Sequence, residues 1–397
     1  MRRILYILFT GCMLLSLTAC SHDDDSTQEN LKEKTVLVYM PWTGNENNTG
    51  GSLYSYFLNN IRDIEQAIAE QRGLGKTRLL VYIAQSNSQA ALVDITYKNN
   101  KCVRDTLKKY SELDVTTETG IRSVLEDAYA ESPTLTYAMI VGAHATGWMP
   151  RGSTPWSVTK APRRAFGGQT SRTQADVTTL AQAIVNSSLR KLQFLSFDDC
   201  YMSNIETAYA LRNATNYLVA STSEIMDIGM PYANVWHYLA ATPDYEAVCR
   251  EYLSFYSNYQ YPYGTLSAVD CSKVELLIPM MRTFNATCEI TEDELENVQP
   301  LDGFDSTVFY DFMDYVNHMS DDAVLTESIQ SALDAIVVST VTTPRLFSQF
   351  ITSGNKYAVS NNSYIVNTNC GITISDPSTN ADAITSKTQT EWWKATH

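Results

Sequence analysis

The sequence predicts an α/β fold on a mostly parallel central sheet. Three observations lead there. Short apolar runs recur between residues 35 and 222, long enough for strands and too short for helices. Segments with helical spacing separate them, the alternation that builds parallel sheets. The runs are apolar on both faces, as strands covered on two sides must be.

In chain order, residues 1–20 read as an export leader. Arg2 and Arg3 supply the charge, Ile4 to Leu17 the apolar core, and Leu17-Thr18-Ala19-Cys20 the end. The core is too short to span a membrane and is followed by acid. This end resembles a bacterial lipobox, which implies lipidation at Cys20 and an exported lipoprotein, membrane-anchored at the outer membrane or cell surface. Residues 21–33 are a polar tether whose Asp23-Asp24-Asp25 is similar to a surface-targeting tag.

Thr35 to Met40 is the first buried strand, followed by an Asn- and Gly-rich loop from Pro41 to Ser52. Leu53 to Gln71 carries Phe57, Ile61, Ile64 and Ile68 on one helical face. Arg78 to Gln85 is the second strand. Ala90–Tyr97 and Cys102–Lys108 flank Lys98-Asn99-Asn100-Lys101, a hairpin at a sheet edge. Glu118 to Tyr129 is a helix capped by Thr116 or Thr117. Leu135 to Gly142 is a strand that runs into His144. Arg151 to Arg172 has no hydrophobic period, and Val177 to Arg190 is a helix. Leu192 to Phe197 and Tyr217 to Thr222 are further strands. From Trp236 the pattern turns helical (236–241, 245–258, 273–290, 307–318, 322–337), with a late strand at Gly371–Pro377. A soft boundary near residue 260 divides a core, 34–260, from a C-terminal helical region, 261–397, packed on it.

Forty-four acidic residues against 29 basic ones give a net charge of −15, which argues against nucleic acid and suits cationic substrates. Eight cysteines include no C-x-x-C, and five histidines no H-x-x-x-H, so nothing points to zinc or to a fixed disulfide framework. G-x-G-x-x-G and G-x-S-x-G are also missing, which removes the simplest dinucleotide and serine-hydrolase readings.

The chemistry gathers at two strand ends. Leu192 to Phe197 ends in Asp198, Asp199 and Cys200, and the helical spacing of Met202 to Arg212 places Cys200 at a strand-to-helix turn. A helix N-terminus there would favour thiolate. Two-residue periodicity puts Asp198 and Cys200 on one face and Asp199 on the other. His144 ends another strand, and ligands in such sheets collect outside the carboxyl ends. Thiolate chemistry needs a base and backbone N–H donors for the oxyanion, which this pair of strand ends supplies.

Val38-Tyr39-Met40, His144-Ala145-Thr146-Gly147-Trp148, Asp198-Asp199-Cys200-Tyr201-Met202, Glu206-Thr207-Ala208-Tyr209, Val219-Ala220-Ser221, Gly229-Met230-Pro231-Tyr232, Thr265 to Asp270 and Gly371 to Pro377 together resemble the clostripain family of cysteine peptidases, relatives of caspases, gingipains and legumains. Caspases show a similar His-to-Cys interval, about 50 residues. The resemblance implies a caspase-like αβα sandwich with a catalytic core and additional C-terminal helices. It implies His144 as catalytic histidine, Cys200 as nucleophile, and the N–H groups of Ala145 and Cys200 as the oxyanion hole. It further implies peptide or protein substrates cut after Arg or Lys, with Asp198 lining the basic-residue pocket and Asp227 a second candidate. Self-cleavage between the His and Cys segments would fall at Lys160, Arg163 or Arg164. Some members depend on calcium; with no EF-hand loop here, such a site would be assembled from distant acids. Two positions depart from the family. Ala145 stands where Gly is usual, though its N–H survives. Asp199 stands where a small residue is usual: it either caps the following helix or, turned inward, raises the thiol pKa. The second case leads to the alternative function, a catalytically weak or inactive surface lipoprotein that acts as a binding module.

Overall fold

A computed structural model describes residues 32–153, 165–351, 356–360 and 362–397. The leader, Cys20, most of the tether, and Lys160, Arg163 and Arg164 lie outside the described residues. Nine strands form the main sheet: β1 (Lys34–Met40), β2 (Thr77–Ser86), β3 (Gln89–Lys98), β4 (Lys101–Ser111), β5 (Thr136–Gly142), β6 (Leu192–Asp198), β7 (Thr215–Ala220), β8 (Thr265–Asp270) and β9 (Val337–Thr342). Their spatial order is β9-β8-β7-β6-β5-β1-β2-β3-β4. The five central strands run parallel, and an antiparallel pair flanks them on each side.

Alternation along the strands explains the two helical layers. Val36, Val38 and Met40 of β1 meet Phe57, Ile61, Ile64 and Ile68 of the helix Tyr54–Glu70. Leu37 and Tyr39 point the other way, into a core shared with Ile121, Val124 and Leu125 of Glu118–Glu131 and with Leu180 and Ile184 of Val177–Val185. The fold is therefore the expected αβα sandwich with a mostly parallel sheet.

Local chemistry sets the boundaries. The edge hairpin closes through Asn99 and Asn100 alone, both left-handed (φ 52° and 61°), the turn that matches strand twist. Thr117 caps the next helix by accepting the Gly120 N–H. Several C-terminal boundaries differ from the expectation. The helix expected over 307–318 starts only at Phe312, because the Asp302 carboxyl takes the N–H groups of Val308 and Phe309. The 273–290 stretch divides into a 3₁₀ turn, Val274–Leu277, and a helix, Ile278–Thr287. The late strand shrinks to Thr373–Ile374, paired with Tyr310–Asp311. Strands β8 and β9, absent from the expectation, extend the main sheet.

Candidate active site

The strand ends bring the reactive groups together. Strands β5 and β6 are parallel neighbours whose last paired residues are Gly142 and Asp198. Beyond that rung the two chains reach His144 and Cys200. Both line one cleft of about 410 Å³, together with Asp198, Asp199, Glu224, Asp227, Tyr259, Tyr261 and Phe347. All four side chains assigned from sequence to catalysis or substrate binding (His144, Cys200, Asp198, Asp227) thus face the same space.

His144 is held at both levels. Its backbone pairs with Gly167 in a small sheet formed by His144–Ala145, Phe166–Gly167 and Gln174–Ala175, so the end of the aperiodic 151–172 stretch folds back beneath it. Its Nε2 lies 3.0 Å from the Gly51 carbonyl oxygen, in the loop after β1. A carbonyl only accepts, so Nε2 carries a hydrogen and Nδ1 is the nitrogen left for the cleft. The next rung of the small sheet is Thr146 N–H to Ala165 O at 3.1 Å. Alternate residues of an antiparallel pair face opposite ways, so the Ala145 N–H points away from its Phe166 partner. Ala145 is fully buried, so the fold accepts its Cβ.

The turn after Cys200 differs from the expectation. The helix begins only at Ile205, runs to Leu211, and is capped by Asn204, whose side chain accepts the Thr207 N–H at 2.7 Å. A helix N-terminus therefore does not support the thiol. The Ile225 N–H does so instead, donating to Sγ at 3.3 Å from the loop after β7. Tyr201, next to the thiol, adopts φ 61°, a left-handed conformation that a bulky residue rarely takes. Its ring stacks on Phe309 at 5.0 Å, its N–H reaches Ser223 O at 2.9 Å, and its hydroxyl donates to Glu224 at 2.8 Å. Glu224 also accepts from the Ser348 hydroxyl at 2.7 Å, which ties the C-terminal wall of the cleft to the turn.

The two acids before the thiol behave differently. Asp198 accepts the Met230 N–H at 2.8 Å and the Tyr232 hydroxyl at 3.0 Å. Burial pushes its carboxyl up to about 7, against the pull of those two donors. Asp199 is not a helix cap. It is buried, and its Oδ1 accepts the Ala143 N–H at 2.6 Å. Burial raises its carboxyl well above the usual range, toward the neutral acid. Asp227 is exposed at the cleft rim and holds the Tyr56 hydroxyl, and that bond raises the tyrosine's pKa.

Sequence reasoning missed Gly51, Ile225, Glu224 and Tyr232. The first two act through backbone groups and leave no residue-type signal. Glu224 was findable as an acid just beyond the end of β7. Among the described residues no group of three or more His, Cys, Asp or Glu side chains is placed to hold a metal ion. Cys102, Cys249, Cys271, Cys288 and Cys370 are thiols rather than disulfide partners.

A model of the clostripain family matches residues 41–391. Among solved structures, a secreted C11 cysteine protease from Bacteroides thetaiotaomicron, "iotapain", is 36% identical with TM-score 0.82, covering 92% of this chain and 99% of that one. A clostripain from Bacteroides thetaiotaomicron ATCC 29148, in complex with the peptide inhibitor BTN-VLTK-AOMK, is 39% identical with TM-score 0.54, covering 58% of this chain and 99% of that one. An inactive zymogen C11 protease from Parabacteroides distasonis shares the fold at 22% identity and TM-score 0.75, over 92% of this chain and 99% of that one. Comparison with curated proteins finds no match.

Proposed function

Because the chain belongs to the clostripain family of cysteine peptidases, we propose that it is an endopeptidase cutting after arginine or lysine through Cys200 and His144. The observation that carries this is one cleft lined by an imidazole, a thiol and four acidic residues, among them Asp198 and Asp227. The pocket acids are matched to a cationic side chain, and the related clostripain is bound to a peptide whose sequence ends in lysine.

In this mechanism the Cys200 thiol gives its proton to Nδ1 of His144, and the sulfur attacks the scissile carbonyl carbon. The oxyanion accepts from the N–H groups of Ala145 and Cys200. The imidazolium, steadied by the Gly51 carbonyl, protonates the departing amine as the C–N bond breaks and a thioester remains. Water then gives a proton to His144 and adds its oxygen to the thioester carbon. The carboxylic product leaves as the proton returns to sulfur. Asp199, buried and raised toward the neutral acid, brings little charge beside the thiol, which weighs against the weakened binding module. Export as a lipoprotein through Cys20 accords with the secreted relative, and self-cleavage at Lys160, Arg163 or Arg164 accords with the proposed specificity.

The test is hydrolysis of an arginyl or lysyl fluorogenic peptide against an acidic one. Wild-type protein turns over the basic substrates, Cys200→Ala and His144→Ala lose at least about 10³-fold in kcat, and Asp198→Asn raises KM for the arginyl peptide. On storage, wild type splits near residue 160 while Cys200→Ala stays whole. Equal turnover of the acidic peptide, or unchanged activity in Cys200→Ala, ends the proposal.

A further inference from the structure

The β5–β6 ladder stops at Gly142 opposite Asp198 because the chains must part to leave a cleft between His144 and Cys200. One residue further, backbone pairing has given way to a side chain. Oδ1 of Asp199 accepts the N–H of Ala143, the residue before His144, at 2.6 Å. Asp199 is 1% exposed and Ala143 3%. The other oxygen, Oδ2, is buried with no hydrogen-bond partner among the described residues. A buried carboxyl satisfied on one oxygen costs stability, and a small residue at position 199 would avoid that cost. Its presence beside the nucleophile therefore calls for a compensating role.

We propose that Asp199 is a positioning residue for peptide hydrolysis: its side chain is the last rung between β5 and β6, and it fixes the His144 backbone against Cys200. The proposal rests on the assignment of Cys200 and His144 as the reacting pair. Three features make the rung specific to catalysis. It joins the residue before the histidine to the residue before the cysteine, so any slack appears as a change in the separation of the reacting groups. It lies where the sheet has already ended, so the ladder beneath does not depend on it. It leaves the carboxyl of the basic-residue pocket, Asp198, to its own donors, Met230 and Tyr232. Loosening the rung should thus slow the chemical step and leave substrate binding intact, since misplacement of about 1 Å costs on the order of 10²-fold in rate.

Asp199→Ala and Asp199→Ser delete the acceptor, the second because its oxygen is too short to reach Ala143. Asp199→Asn keeps an acceptor oxygen in place. Kinetics on an arginyl peptide should show kcat lowered at least tenfold in the Ala and Ser variants with KM within about twofold. Asp199→Asn should restore kcat to within about threefold of wild type. Alkylation of Cys200 by iodoacetamide should slow in the Ala and Ser variants and recover in Asp199→Asn, because the displaced imidazole takes the thiol proton less readily. Wild-type kcat in a folded Ala or Ser variant overturns the proposal, and so does an equal loss in Asp199→Asn. Failure of both deletion variants to fold also overturns it, by assigning Asp199 to folding. Cys200→Ala is the control: activity surviving there removes the underlying assignment, whereas a silent Cys200→Ala beside a fully active Asp199→Ala removes this proposal alone.

Discussion

The Gly51 carbonyl reaches Nε2 of His144 because residue 51 holds φ 72°, which turns its C=O toward the strand end. An L side chain there would be strained, and its Cβ would lie within 2 Å of the Gln169 amide. Glycine at this position serves the histidine twice over, by permitting the backbone conformation and by leaving room for Gln169. Gly51→Ala should lower kcat on a basic peptide roughly tenfold, about 1.4 kcal/mol of transition-state stabilisation. Gly51 is exposed, so the melting temperature should move little. A paired measurement of kcat and Tm decides: unchanged kcat shows that the carbonyl contributes nothing, and a large Tm loss moves the residue to a structural role.

The turn from β6 into the helix Ile205–Leu211 is the element that aims the thiol, and Asn204 holds it. Oδ1 accepts the Thr207 N–H and Nδ2 donates to the Tyr201 carbonyl, both at 2.7 Å and fully buried. Asn204→Ala removes a helix cap and strands a buried carbonyl, together roughly 2–4 kcal/mol. Asn204→Asp keeps the cap acceptor and should lose less. Urea unfolding of the three proteins checks the order, and an Ala variant as stable as wild type would sink this account. Elements such as the parallel strands were legible from sequence because they are apolar on both faces. Strands β8 and β9 were not: Thr265, Ser267 and Ser339 dilute the apolar signal, and Val337 follows the helix Ala323–Ile336 with no intervening turn residue. The side chains proposed for catalysis stood out because they end apolar runs. Their supports did not, since the Gly51 carbonyl and the Ile225 amide are backbone groups delivered by distant loops, and the Ala143 amide carries no residue-type signal.

Across the whole molecule, buried carboxyls set how stability responds to pH. Glu206 accepts the Ser375 N–H at 2.7 Å, and Asp376 accepts from Trp392 Nε1 at 3.2 Å, so this pair docks the C-terminal segment onto the helix after Cys200. Burial raises both carboxyls, and each acid's proximity to the other adds to the shift on Glu206. Asp198 is likewise raised by burial to about 7. For a carboxyl raised in the folded state, the unfolded chain releases its proton first. The associated stability is fully present below about pH 4 and is lost as pH climbs through the folded value. The net charge of −15 acts in the same direction, since self-repulsion grows as protons leave. Each group costs about 1.4 kcal/mol per pH unit, roughly 1–2 °C in a chain of this size. Thermal melts of Cys200→Ala, chosen so that self-cleavage does not intervene, should therefore show Tm on the order of 5 °C higher at pH 5.5 than at pH 8.5. Adding Glu206→Gln removes one member of the pair while keeping an acceptor for Ser375, so the fall with pH should become shallower. A Tm that stays level across this range, or the same slope in both proteins, would show that these buried carboxyls do not set the pH response.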